Sequence, residues 1–339
     1  RPATVVGQGE VDGPHRVRAP DEVEADGVAL VPEEIFNRRW HMKEGGIAVN
    51  PFGDPNDTVR MNPPRNLIER PAGPTDPEVH FVSLRGVDGR PIALLANYSL
   101  HYVGGVPADG VSADYFAVFA GLIEKALGKD NGFVAIMSNG TSGDINNISF
   151  RVPRGRQKLL ERMNAVANLV AERVLAAHKE VKFHGNLTVA MEQTLLKLKN
   201  RQPTAKQIAY ARKALATKDP KILPRLAVAY ANRTLALANG PLEEEIVLQA
   251  LRIGEVGITT IPCEVLCEIG LMLKANSPLA QSTFTIELAN GHNGYLPTPR
   301  QHALGGYETW MGTCTLEIMA SEKIKKALLQ MLEKVAVGD

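Results

Sequence analysis

The chain has 339 residues, 44% hydrophobic and 22% charged, so it can bury a sizeable core as one domain or two closely associated ones. Its formal net charge of +1 argues against nucleic acid or an anionic membrane surface as the partner. Aromatic residues make up only 5%, which argues against stacking platforms for single-stranded nucleic acid. No apolar run approaches the roughly 20 residues that a transmembrane helix requires.

The first half of the chain contains two irregular stretches and a hairpin pattern. Residues 1–32 are rich in Pro, Gly, Asp and Glu with little periodicity, which is typical of irregular structure or of a loosely attached strand. The Pro/Gly/Asn-rich stretch 50–77 predicts a long ordered loop. Segments 79–84 and 91–100 predict two strands joined by a turn at 86–89, and the apolar run of the second strand is typical of burial on both faces.

Helices and strands alternate without a regular repeat in the rest of the chain. An apolar stripe through Tyr115 and Phe119 predicts a helix over 113–128, with Ser112 or Asp114 as its N-cap. This interleaving predicts an α/β fold with a mixed β-sheet core and helices packed around it. The later predicted elements are a strand at 133–137, helices at 156–178, 204–216 and 222–238, strands at 245–253, 257–261 and 283–288, and a helix at 315–335.

Several predicted strands end in polar residues, and ligands of α/β proteins collect beyond the carboxyl ends of strands. His101 follows a buried strand and is either a metal ligand or a core histidine bonded to the backbone. The small polar residues of loop 138–147 either offer N–H and hydroxyl donors to an anionic intermediate or simply form a turn. Because this loop lacks Walker-type and G-x-S-x-G spacing, it predicts neither a phosphate loop nor a nucleophile elbow.

Two further strand ends carry candidate ligands. Glu264 stands where a strand turns into a helix, a position where the helix dipole alone also favours a carboxylate. The turn-rich segment 290–299 contains His292 and Tyr295, either of which is a candidate ligand, although the tyrosine ring is also suited to filling the loop. A His, a Glu and a Tyr at strand ends form a donor set that would converge on one cation if those ends meet.

At these same places the sequence resembles the catalytic domain of the neutral ceramidase family, in order along most of the chain from about Phe36. The ordered set is specific, although no single motif is. The matching segments are Asn37-Arg38 with the family's Asn-Arg-Ser, Asn50-Pro51 with its Asn-Pro, His101 with a zinc-binding His, Ser112-Ala113-Asp114 with the start of the next helix, residues 133–147 with its Ser-Asn-x-Gly-Asp-Val-Ser-Pro-Asn strand and loop, Pro262-Cys263-Glu264 with its Pro-Gly-Glu, residues 290–295 with a segment ending in a zinc-binding Tyr, and Gly306-Tyr307-Glu308 with its Arg-Tyr-Glu.

The resemblance implies a zinc-dependent α/β hydrolase that cleaves the amide bond of a small N-acylated substrate. By the resemblance, His101, Glu264 and Tyr295 would hold the zinc ion, while Arg38 and Tyr307 would hydrogen-bond the oxyanion or the scissile group. Zinc suits this reaction because it lowers the pKa of bound water and polarises a carbonyl. The resemblance also implies a secreted or periplasmic location.

The sequence departs from the family pattern in three ways. The family has a further zinc-binding His upstream, in a Thr-His-Thr-His-like stretch, that nothing here matches; His15 stands in a Pro/Gly-rich context. Asn146 occupies the position of the family's serine nucleophile, so Ser142 or Ser138 would substitute, or metal-bound water alone would attack. The family's C-terminal immunoglobulin-like domain has no counterpart, and we expect residues 1–339 to form a single catalytic-type domain.

Two functions are consistent with this pattern. The first is a zinc amidase, which is favoured by the joint presence of the five matched site residues. The second is an incomplete or degenerate, non-catalytic ceramidase-like domain, which is favoured by the unmatched upstream histidine. In the second case another chain or a missing N-terminal segment would complete the site.

Overall fold

Two mixed β-sheets pack face to face, and helices cover their outer faces, so the predicted α/β fold is confirmed. The computed structural model describes residues 15–19, 22–128, 132–185, 187–279 and 282–337. None of the helices in these ranges is long and apolar enough to span a bilayer. The α-helices are α1 Asp114–Leu127, α2 Glu161–His178, α3 Ala205–Leu215, α4 Ala227–Ala238, α5 Cys267–Asn276, α6 Pro299–Leu304 and α7 Ala320–Ala336.

The strands fall into two large sheets and three small ones. The strands are β1 His15–Ala19, β2 Glu22–Leu30, β3 Phe36–Asn37, β4 Arg39–Met42, β5 Val59–Met61, β6 Ile68–Pro71, β7 Glu78–Gly86, β8 Pro91–Tyr98, β9 Val134–Asn139, β10 Ile145–Asn146, β11 Leu187–Lys199, β12 Glu243–Ile253, β13 Val256–Ile261, β14 Glu264–Val265, β15 Thr283–Glu287 and β16 Tyr295–Leu296.

The first large sheet has the strand order β2-β7-β8-β9 and forms the N-terminal half of the fold. Strands β7 and β8 make the predicted antiparallel hairpin, and β8 then pairs in parallel with β9 through the crossover helix α1. Helices α1 and α2 cover its outer face, where Leu94, Phe119 and Val170 are fully buried. Burying such side chains removes apolar area from water at about 25 cal/mol per Å², which makes this face the main source of local stability.

The second large sheet has the order β1-β11-β12-β13-β15, with β13 and β15 parallel. Its outer face is covered by α5 and α7, whose Leu273 and Leu328 are fully buried. Val82 of the first sheet and Ile258 and Phe284 of the second share a core between the two sheets. The result is a four-layer arrangement of helix, sheet, sheet and helix.

The local structure differs from the sequence predictions at three places. Of the two alternatives for 1–32, the strand is found at 22–30, where β2 pairs with β7 along nine residues and buries Ala25 and Ala29, while residues 1–14, 20 and 21 lie outside the described residues. The predicted loop 50–77 contains two short strands, β5 and β6, which both pair with β4. The long strand β11 was not predicted, because its polar and apolar residues do not alternate cleanly; its eleven-residue pairing with β12 fixes it instead.

The helix starts also differ from the predicted ones, for identifiable backbone reasons. Helix α2 begins at Glu161 because Leu160 has a left-handed backbone, with φ of 64°. Helix α4 begins after Leu226, which has φ of 67°. In α1 the N-cap is Ala113, not Ser112 or Asp114. The Ser112 hydroxyl nevertheless accepts a hydrogen bond from the Asp114 N–H.

Candidate active site

Two short ladders beyond the sheets bring distant segments together. Strand β3 pairs with β10, so the chain leading into Arg38 lies beside the loop that follows β9. Because β13 and β15 are parallel neighbours, their carboxyl ends are adjacent, and the segments that follow them pair Glu264 directly with Tyr295. The Gly143 N–H donates to the Val265 carbonyl at 2.8 Å, which ties the two ladders to each other.

Arg38 is the buried cation at this junction. Its Nε donates to Glu308 Oε1 at 3.2 Å, and its Nη2 donates to the Gly143 carbonyl at 2.8 Å and to Tyr295 Oη at 2.9 Å. Although burial alone would lower it, Glu308 and Tyr295 hold the pKa of Arg38 above its usual range. Nη1 donates to no other described residue, so the guanidinium is fixed on three acceptors and keeps one edge free.

One of the three acceptors that hold Arg38, the carboxylate of Glu308, was not predicted as a site residue from the sequence. Glu308 is fully buried and bridges two guanidiniums, those of Arg38 and Arg39, with Arg39 Nη1 at 2.5 Å from its Oε2. A buried carboxylate is tolerated when it is paired and hydrogen-bonded, and two cations satisfy both of its oxygens here. Glu308 therefore orients Arg38 without facing the cavity itself.

Glu264, Tyr295 and Tyr307 line one cavity of about 520 Å³. The rings of Tyr295 and Tyr307 pack edge to face, with centroids 5.6 Å apart. Burial raises the pKa of Tyr295 above its usual range, with Arg38 opposing and Glu264 reinforcing that rise, so the phenol stays protonated at neutral pH. His292 is exposed at the rim, with Nε2 at 3.7 Å from Glu264 Oε1.

Tyr307 also lines a second cavity, of about 410 Å³, on its other side. Six large apolar side chains line this cavity beside the charged Asp57, Arg60 and Arg225, while the wall of the first cavity carries Arg233 and Glu244. The side chains that give the second cavity its apolar character are Ile47, Val49, Val59, Met61, Leu226 and Trp310.

The positive charge of Arg38 acts on the imidazole of His101. Burial, and next the Arg38 guanidinium, lower the pKa of His101 to about 4, so its imidazole is neutral at pH 7 and has a lone pair for a metal. Its ring packs against Tyr102 with centroids 4.4 Å apart. Among the described residues it forms no hydrogen bond, ion pair or ring contact with Glu264 or Tyr295.

The predicted zinc ligands combine an imidazole, a carboxylate and a phenol. Imidazole and carboxylate are common zinc donors, and Glu264 and Tyr295 share one cavity. The part of the chain that the structure describes contains no cluster of three or more His, Cys, Asp or Glu side chains placed to hold a metal. The donor types therefore fit zinc, but the described residues supply only part of a ligand set.

The two candidates in the loop after β9 are both tied to the protein scaffold. Ser142 is fully buried, and its Oγ donates to Glu287 Oε1 at 2.5 Å, which turns the hydroxyl toward the core. The Asn146 amide donates to Asn62 Oδ1 at 2.9 Å and its carbonyl oxygen accepts from the Ile148 N–H, also at 2.9 Å. In this arrangement Asn146 holds the backbone of the loop in position.

Glu287 gives the molecule a testable pH dependence. Burial raises its pKa to about 8, against an ordinary value of 4.5, despite hydrogen bonds from Ser142 and Val265. Between these two pKa values the folded protein keeps a proton on Glu287 that the unfolded chain releases. The contribution of Glu287 to the free energy of unfolding is therefore fully present below pH 4.5 and is lost progressively as the pH rises toward 8. Glu287→Gln should remove this loss, which is on the order of a few kcal/mol.

Urea unfolding at pH 5 and pH 8 measures this effect. The wild-type protein should lose more unfolding free energy between these values than Glu287→Gln does. The exposed Glu180→Gln variant is the control and should keep the wild-type difference. Equal losses in all three proteins would show that Glu287 does not titrate as its burial indicates.

The four-layer fold is similar to that of solved ceramidase structures. One such structure is neutral ceramidase from Pseudomonas aeruginosa, with a TM-score of 0.59 and 12% identity over 92% of this chain and 52% of that one. Another is a ceramidase complexed with C2, with a TM-score of 0.61 and 12% identity over 92% of this chain and 53% of that one.

These comparisons confirm, at the level of fold, the resemblance to neutral ceramidases that the sequence predicted. The chain spans about half the length of each of the two structures. No protein-family model and no curated protein sequence matches it.

Proposed function

We propose that this chain is a hydrolase that cleaves the amide bond of a small N-acylated substrate, with zinc as its cofactor. The observation that carries the proposal is the guanidinium of Arg38. It is held on three acceptors with one edge free, beside Glu264, Tyr295 and Tyr307. Donors fixed before the reaction stabilise a developing oxyanion without further reorganisation.

The chain's own residues have distinct roles in this proposal. The free edge of Arg38 donates to the carbonyl oxygen as negative charge develops there. Burial, and next Glu264, raise the pKa of Tyr307, so its hydroxyl is protonated and donates to the scissile group. Zinc held by His101, Glu264 and Tyr295 would supply a Lewis acid and an activated water. A further donor from another chain or from an N-terminal segment would complete the ligand set.

The two cavities that meet at Tyr307 support an N-acyl substrate. The second cavity suits an acyl group, because its walls include Met61, Leu226 and Trp310. The first cavity suits the amine-bearing part, since Arg233 and Glu244 lie in its wall. A substrate bound across both cavities would place its amide bond at Tyr307, next to Arg38.

A non-catalytic ceramidase-like domain is the second candidate. It is favoured by the hydrogen bond from Arg38 to Tyr295, which occupies a proposed ligand oxygen, and by the incomplete donor set among the described residues. Zinc analysis of the purified chain, followed by an assay with a fluorogenic N-acyl amide, separates the candidates. Bound zinc with turnover supports the enzyme, whereas neither property after zinc addition supports the non-catalytic domain.

Asn146→Ala should have a modest effect on this activity. The substitution removes two hydrogen bonds that hold the loop, so it should cost about 2 kcal/mol of stability, while kcat/KM should fall by no more than about tenfold and the mechanism is kept. An amide side chain cannot act as the nucleophile. Stopped-flow kinetics should show no burst of acyl-enzyme, and an acyl group trapped on Ser142 or Ser138 would contradict the assignment.

A further inference from the structure

The loop between β10 and α2 is strongly cationic, although the chain as a whole carries a net charge of only +1. Residues 151–162 hold five cations and one acid, Glu161. Such a local excess attracts anionic surfaces even when the net charge of the protein is close to zero. The five cations are Arg151, Arg154, Arg156, Lys158 and Arg162.

Only part of this charge is neutralised within the protein. Arg154 and Arg162 both pair with the buried Glu34. Arg156 and Lys158 are exposed, and among the described residues neither side chain has an acidic partner. The pKa of Arg154 is lowered first by burial and second by the positive charge of Arg65. Arg65 therefore lies near Arg154, and the cationic surface extends beyond the loop.

The same surface also exposes aliphatic side chains. Val152 and Leu159 are 63% and 62% exposed on the cationic loop. The loop that follows His101 lies beside it, because the Leu160 N–H donates to the Gly105 carbonyl at 2.8 Å. That second loop exposes Val111 fully. A surface that only carries solvated charge does not require exposed aliphatic side chains. Aliphatic side chains exposed among these cations are instead typical of an interaction site.

Cations interleaved with exposed aliphatic residues match the chemistry of an anionic bilayer surface. The cations bind the negative headgroups, and the aliphatic side chains enter the boundary between headgroups and acyl chains. Nucleic acid would use the charge but leave Val111, Val152 and Leu159 in water. We propose that residues 102–111 and 151–162 form a lipid-docking surface that binds bilayers containing anionic lipids.

This inference is independent of the proposed amide hydrolysis, because it concerns binding and requires no metal. It has a consequence for the candidate site, since residues 102–111 leave directly from His101. A bilayer bound at the lipid-docking surface would lie next to that end of the site.

Vesicle co-sedimentation of the full chain in 0.1 M salt tests the proposal. Binding should be at least tenfold stronger to vesicles of phosphatidylcholine with one quarter phosphatidylglycerol than to phosphatidylcholine alone. Each cation near an anionic surface contributes about a fivefold gain, so Arg156→Gln with Lys158→Gln should weaken binding roughly 25-fold. Leu159→Ser should weaken it about tenfold, in high salt as well as low.

The control is the double variant Lys213→Gln with Lys218→Gln, which removes the same charge from exposed positions in and just after α3. It should bind anionic vesicles as the wild type does. Equal weakening by both double variants would mean that only net charge matters, and it would overturn the proposal. The proposal is also wrong if the chain binds neither vesicle type, or if it binds duplex DNA but no vesicles. Far-ultraviolet circular dichroism verifies that each variant is folded.

Discussion

Glu264→Ala is expected to abolish zinc binding by the purified protein. Glu264 is the one carboxylate among the three proposed ligands, and it lies opposite Tyr295 in the β14–β16 ladder. Its negative charge is needed to hold a dication, because His101 is neutral at pH 7 and burial keeps the Tyr295 phenol protonated in the absence of metal. Zinc measured by plasma mass spectrometry should fall from the wild-type level to background.

Glu244→Ala is the matched control for this experiment. Glu244 is the same residue type in the wall of the same cavity, and its carboxylate accepts from the Asn293 side chain. Because Glu244 is not a proposed ligand, its variant should keep its zinc. Retention of zinc by Glu264→Ala, or equal loss from both variants, would remove Glu264 from the proposed ligand set.

Much of the fold follows from local sequence patterns. The β7–β8 hairpin and helix α1 were predicted because a turn signal and an apolar stripe are local properties of the chain. Strand β11 and the packing of two sheets were not, since each depends on partners that are distant in sequence. The edge strand β2 shows the same limit: Pro- and Gly-rich surroundings conceal a segment that pairs with β7 over nine residues.

The residues facing the cavity were easier to predict than those that support them. Glu264 and Tyr295 stand at the ends of β13 and β15, where ligand residues of α/β proteins are expected, and the parallel pairing of those strands brings them together. Glu287 and Glu308 are ordinary acidic residues in the sequence. Their burial and their partners, such as Arg38 at 270 residues from Glu308, exist only in the folded chain.

Arg38→Lys is expected to lower kcat/KM by at least about a hundredfold, although the positive charge is retained. The guanidinium satisfies Glu308, the Gly143 carbonyl and Tyr295 at once and still leaves Nη1 without a partner among the described residues. A lysine has a single nitrogen on a flexible stem, so it cannot serve those three acceptors and the substrate carbonyl together. Loss of one preorganised oxyanion donor costs about 3 kcal/mol of transition-state stabilisation, which predicts the hundredfold effect.

Arg233→Lys separates this effect from a general sensitivity of the cavity to arginine replacement. Arg233 lines the cavity of Glu264 and Tyr295 and lies over the Tyr230 ring, at 4.9 Å from its centroid, and a lysine there keeps the positive charge that Arg233 places in the wall and near Tyr307. Its variant should retain kcat/KM within about threefold, since an exposed cation–π contact contributes only about 0.5–1 kcal/mol.

Full kcat/KM in Arg38→Lys would show that Arg38 serves only to hold Glu308 and Tyr295 in place. A fall confined to kcat, with KM unchanged, would instead place the guanidinium on the transition state, because an interaction made equally with bound substrate would change KM.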